Sequence, residues 1–183
     1  MGAGKSTLAK KLAKKLNFDY FYMGQIFRDL AKKRNMNLRK YLELGETDPN
    51  IDKEVDDYQK KLSQTCNNFV IDGRVSFYII PNSIKLYIYS SIEIGAERIF
   101  NDLKNNLARN EGKLKNVKEV EEEIKKRLKT DKKRYKKYYN IDVFNPNNFD
   151  LAINTDYSSR EDIFNIAYNY IKHKNIDKSW FLL

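Results

Sequence analysis

The chain has 183 residues, 41% of them hydrophobic and 33% charged, which suits one domain with a sizeable core. A single cysteine, Cys66, and a single histidine, His173, exclude an internal disulfide and a Cys/His zinc cluster. No apolar run approaches the roughly 20 residues of a membrane span and no secretory-type apolar stretch opens the chain, so a cytoplasmic protein with no membrane partner is expected. The net charge of +10 suits any polyanion, ATP and RNA alike.

The first seven residues, Met1-Gly2-Ala3-Gly4-Lys5-Ser6-Thr7, close the phosphate-binding pattern G-x-x-x-x-G-K-[ST]. In such a loop small residues let backbone N–H groups approach a triphosphate, the lysine reaches its β- and γ-phosphates, and the Ser hydroxyl meets Mg²⁺. The pattern's first Gly, and the buried strand that delivers such a loop, would precede Met1. Taken alone, Gly4-Lys5-Ser6 equally suits the basic start of a helix.

Leu8, Leu12 and Leu16 with Ala9 and Ala13 predict an amphipathic helix whose positive dipole end meets the loop. Asp19 to Tyr22 reads as a strand broken by Gly24, followed by a helix through Ile26, Phe27, Leu30 and Ala31 that carries Arg28. A helical patch with Leu38, Tyr41 and Leu42 stops at Gly45. Asp48, as N-cap before Pro49, opens a helix with Ile51, Val55, Tyr58 and Leu62 on its apolar stripe. Asp52, Asp56 and Asp57 fall off that stripe and read as a solvated face.

Phe69-Val70-Ile71 is a buried-strand run that ends in Asp72-Gly73-Arg74. A carboxylate at the carboxyl end of a parallel strand stands where open α/β sheets bind ligands, although Asp-Gly by itself also suits a turn. Ile84 to Tyr89 is a further strand, and Ser91 opens a helix through Ile92, Ala96, Ile99, Leu103 and Leu107. A polar connection over 110–116, with Gly112, leads to a charged helix from Val117 to Tyr139. Leu151-Ala152-Ile153 makes the last strand, and Ser158 with Glu161 reads as a capping box for a final helix. Strands alternating with amphipathic helices predict a parallel sheet covered on both faces.

Four separated stretches together resemble the cytidylate kinase family of P-loop nucleoside monophosphate kinases, in its archaeal-type branch. They are Gly2 to Thr7, Gly24-Gln25-Ile26-Phe27-Arg28, Val70 to Arg74, and the R-x-x-x-D-x-x-R run from Arg127 through Asp131 to Arg134. The resemblance implies a P-loop NTPase fold over 1–183, with an acceptor-binding lobe at 24–66 and a lid at 110–139. It implies phosphoryl transfer from ATP to CMP or dCMP with Mg²⁺, by a monomer that binds no nucleic acid. Met1 to Thr7 would cradle ATP, with Lys5 on the transferring group and Ser6 and Asp72 on the metal. Arg28 and Arg74 would hold the acceptor phosphate, and Arg127 and Arg134, oriented by Asp131, would reach from the lid. Read from spacing alone, that arginine pair also fits a surface salt-bridge ladder.

Two departures qualify the match. Val75 and Ser76 follow Arg74 where the bacterial branch has an Asp that reads the acceptor, so another nucleotide or a small metabolite is the alternative acceptor; the incomplete loop adds a non-catalytic nucleotide- or RNA-binding role as a further alternative. The central first strand of the fold is missing, so the expectation is a truncated, poorly stable chain. The tail Trp180-Phe181-Leu182-Leu183 could fold back into the gap, but nothing in its sequence says that it does.

Overall fold

The structure is a computed structural model that describes residues 1–105 and 114–174 and the backbone of 180–182. The expected polar connection over 110–116 therefore falls largely outside the described residues, and so does Leu107. Strands β1 (Asp19–Tyr22), β2 (Phe69–Asp72), β3 (Ile84–Tyr89), β4 (Leu151–Asn154) and β5 (Trp180–Leu182) form one sheet in the order β1-β2-β5-β3-β4. Every neighbouring pair is parallel.

Helices α1 (Lys5–Leu16) and α8 (Arg160–His173) cover one face, where Leu8, Leu12, Ile163 and Phe164 pack on Val70, Leu86, Ile88 and Ile153. The other face is covered by α2 (Met23–Lys33), α3 (Leu38–Leu44), α4 (Asn50–Thr65) and the short α5 (Ser76–Ile79). All four residues of β2 are buried: Phe69 and Ile71 belong to the second face and Val70 to the first. That is why Phe-Val-Ile reads as a continuous apolar run and not an alternating one. Helices α6 (Ile92–Asn105) and α7 (Val117–Tyr139) pair through Ala96, Ile99, Val120 and Ile124 beyond the sheet.

The gap expected at the centre of the sheet is filled from the far end of the sequence. Strand β5 lies between β2 and β3, with Val70 opposite Phe181 and Ile84 opposite the same residue on the other side. Three apolar residues are too short a run to announce a strand, and only the two edges waiting on β2 and β3 give them a place.

Three local expectations shift. The capping box of α8 uses Ser159 and Asp162, one residue along from Ser158 and Glu161: the Ser159 hydroxyl accepts from the Asp162 amide at 3.1 Å. Gly24 does not break the chain but sits in the first turn of α2. On α4, Tyr58 is exposed, whereas Asp52 and Asp56 are buried, so the inward face is rotated from the expected stripe and only Asp57 is solvated.

Candidate active site

Gly2 (φ 72°) and Gly4 (φ 75°) take left-handed backbone, which a side chain would strain, and this coils the first residues around the start of α1. The α1 N-terminus has no side-chain cap, so the N–H groups of its first turn face the loop. Helix α6 presses on the loop from outside. A Cβ on Gly95 would stand 2.4 Å from the Met1 carbonyl oxygen, and one on Gly2 would stand 2.2 Å from the Gly95 carbonyl oxygen. The Ser90 hydroxyl also donates to the Met1 carbonyl at 3.3 Å.

The carboxyl end of β2 delivers Asp72 to this loop, and that side chain is 1% exposed as a residue. Its Oδ1 meets Lys5 Nζ at 2.5 Å and its Oδ2 accepts from Ser6 Oγ at 2.5 Å. Lys5 also donates to the Gly73 carbonyl at 3.2 Å. A hydroxyl and a carboxylate so close together are a hard-oxygen pair of the kind that suits Mg²⁺, which takes one or two protein oxygens and fills the rest of its octahedron with phosphate and water.

Next to this pair, Asp131 on α7 collects three arginines. Arg74 Nε lies 3.1 Å from Oδ2, Arg127 Nε 3.9 Å from the same oxygen, and Arg134 Nη2 3.2 Å from Oδ1. Their exposures separate them: the Arg74 and Arg127 side chains are 26% and 27% exposed, that of Arg134 only 1%. Arg134 is consumed internally, pairing with Asp52 at 3.0 Å and donating to the Leu42 carbonyl at 3.1 Å and the Tyr135 hydroxyl at 2.9 Å. The seven-residue spacing does put Arg127 and Arg134 on one face of α7, but α3 and α4 cover the later turn. Arg28 donates to the Tyr22 hydroxyl and the Gly24 carbonyl, both at 3.1 Å, and its guanidinium lies over the Tyr22 ring.

A cleft of about 1500 Å³ joins these parts; residues 1–7, Arg28, Asp72, Arg74, Arg127, Asp131 and Arg134 all line it. Asp56, expected on a solvated face, also lines it, together with Gln59 of α4 and Arg98 of α6, which the sequence did not single out. Arg98 grips the turn after β4 by donating to the Thr155 carbonyl at 2.7 Å and hydroxyl at 2.9 Å. Asp52, Asp56 and Gln59 are spaced by four and three, a helical face in their own right. Polar residues at that spacing look like solvent-facing positions until a second element is known to cover them. Burial raises the carboxyl pKa of Asp56, against the Tyr139 hydroxyl that donates to it at 2.6 Å. It lifts Asp52 to about 6 despite the neighbouring Arg134.

The comparisons point one way. The profile of the cytidylate kinase-like family matches residues 1–157. A cytidylate kinase from Sulfolobus acidocaldarius is 33% identical, with 96% of this chain and 92% of that protein covered. One from Methanobrevibacter smithii is also 33% identical (93% and 94% covered), and one from Pyrococcus abyssi is 35% identical (94% and 90%). In fold, the chain is similar to an uncharacterized protein from Eubacterium ventriosum, with a TM-score of 0.68 at 18% identity over 93% of this chain and 92% of that one.

Proposed function

The chain belongs to the cytidylate kinase-like family, and from that premise we propose that it transfers the γ-phosphate of ATP to a nucleoside monophosphate, CMP or dCMP. The observation that carries this reading is the meeting of the loop, the Ser6–Asp72 oxygen pair and the Asp131-held arginines in one cleft. Phosphoryl transfer is mainly positioning and charge neutralisation, so several cations from different segments are what it requires. Lys5 holds the transferring phosphoryl group, Arg28 and Arg74 fork onto the acceptor phosphate, and Arg127 closes over the phosphates from α7. Ser6 and Asp72 would hold Mg²⁺, which would supply charge neutralisation to the phosphates. The segments 24–66 and 110–139 act as acceptor lobe and lid, which close water out of the cleft.

A coupled assay of ADP release across CMP, dCMP, UMP, AMP and GMP tests the reading. CMP and dCMP are expected to be the preferred acceptors, and turnover with none of the five overturns it. In the same assay Arg28→Ala should raise KM for the acceptor by about tenfold with kcat nearly kept, whereas Lys5→Ala should lower kcat about 100-fold. Equal and small effects from both would mean that the residues are wrongly assigned.

The loop–α6 contact gives a second expectation. Gly95→Ala adds about 1 kcal/mol of helix propensity but drives a methyl into the Met1 carbonyl, a clash of about 1–3 kcal/mol that the loop relieves by moving out. ATP affinity, measured by calorimetric titration, should fall roughly tenfold, about 1.4 kcal/mol, while the KM of the acceptor stays put. Unchanged ATP affinity would show that the loop tolerates the shift.

A further inference from the structure

The middle of α4 lines the cleft with polar groups that the phosphate chemistry does not use. Gln59 is 1% exposed and Asp56 7% exposed, and both line the cleft. Ser76 donates its hydroxyl to Gln59 Oε1 at 2.5 Å, which fixes the amide with its nitrogen turned away from the serine. Among the described residues that Nε2 makes no hydrogen bond. The Tyr139 hydroxyl, at 2.6 Å, occupies Asp56 Oδ2 and leaves Oδ1 without a hydrogen bond among the described residues. Both atoms keep a hydrogen-bonding capacity that no described protein group uses, on residues that line the cleft, so a ligand lying on this wall meets one open acceptor and one open donor.

The pair stands next to the arginine assigned to the acceptor phosphate. A Cβ on Gly73 would lie 1.9 Å from Ser76 Oγ, so Ser76 packs directly on the residue before Arg74. Asp56 and Gln59, three apart on one helix, face the same way.

We propose that Asp56 and Gln59, with Ser76 fixing the amide, read the acceptor base and select cytosine over uracil. This rests on the kinase reading above. Asp56 offers a bare acceptor and Gln59 a donor. Cytosine presents the complement on one edge, the N4 amino group as donor and N3 as acceptor. Uracil reverses both, placing O4 against the carboxylate and N3–H against the amide N–H. Two reversed contacts in a buried site reject uracil far more strongly than a difference in size would. Adenine shares cytosine's donor and acceptor order, and therefore AMP belongs in the test.

The experiment measures kcat/KM for CMP, UMP and AMP in the wild type, Asp56→Asn and the double variant Asp56→Asn/Gln59→Glu. Asn keeps an oxygen for Tyr139 and turns its NH₂ to the base. The CMP:UMP ratio should fall about 10- to 100-fold in Asp56→Asn, and the double variant, with both polarities reversed, should prefer UMP. KM for ATP and the melting temperature report whether each variant is folded. A CMP:UMP ratio within twofold of wild type in a folded Asp56→Asn overturns this inference while the kinase reading stands. A wild type that prefers AMP overturns the assignment to cytosine, and one that uses no nucleoside monophosphate overturns both readings together.

Discussion

Deleting residues 180–183 is expected to leave a chain with no cooperative melting transition. Strand β5 makes three residue pairings with β2 and two with β3, all at the centre of the sheet. Each pairing lost leaves buried backbone groups without partners, at about 1–3 kcal/mol apiece. Even the lower figure sums to the bottom of the usual range of roughly 5–15 kcal/mol for a whole domain. Phe181→Pro is the point version, because it removes an N–H from a strand flanked on both sides. Circular dichroism melts and size-exclusion profiles decide the matter. A deletion variant that melts as sharply and as high as the full chain would show that β5 contributes nothing to the sheet.

Arg134→Met is expected to cost about 3–5 kcal/mol of stability, because it strands Asp52 in the interior without its cation and takes from Asp131 one of the three arginines around it. Methionine fills most of the volume, so the loss is electrostatic and not a cavity. Urea titration gives the figure directly from the shift in midpoint at constant slope. If stability instead stays within about 1 kcal/mol while kcat collapses, Arg134 works on the phosphates and its buried contacts are incidental.

The same variant carries a pH signature. Burial, opposed by Arg134, lifts the Asp52 carboxyl from 3.8 to about 6. Between those values the folded chain binds this proton more tightly than the unfolded chain, so the contribution of Asp52 favours folding below 3.8 and is lost as pH rises through about 6. Without Arg134 the carboxyl climbs further and the window extends upward. The deficit of Arg134→Met relative to wild type should therefore be smaller at pH 5 than at pH 8.

The sequence made the parts that rest on local chemistry legible. Small residues beside Lys5 and Ser6 define a loop whatever surrounds them, and Asp72 after three apolar residues marks a strand's carboxyl end. Both expectations concern neighbours in the chain. Arg134 shows the limit: spacing puts it on the face of Arg127, but Asp52 and Leu42, which bury it, are 82 and 92 residues earlier in sequence. Asp56 and Gln59 were hidden for the same reason, since nothing near α4 announces that Tyr139 and Ser76 will cover it. The capping box slipped by one residue because Ser158 and Ser159 each have an acid three positions on, and geometry alone chooses between them.

The placement of β5 also bears on how the molecule is made. Phe69 pairs with Trp180, 111 positions later in the chain, so the innermost strand of the described sheet is also its last to be synthesised. Until it arrives, β1–β2 and β3–β4 are separate two-stranded halves, each showing an unpaired parallel edge. Contacts so distant in sequence are slow to close, and open edges in the meantime invite pairing with other chains.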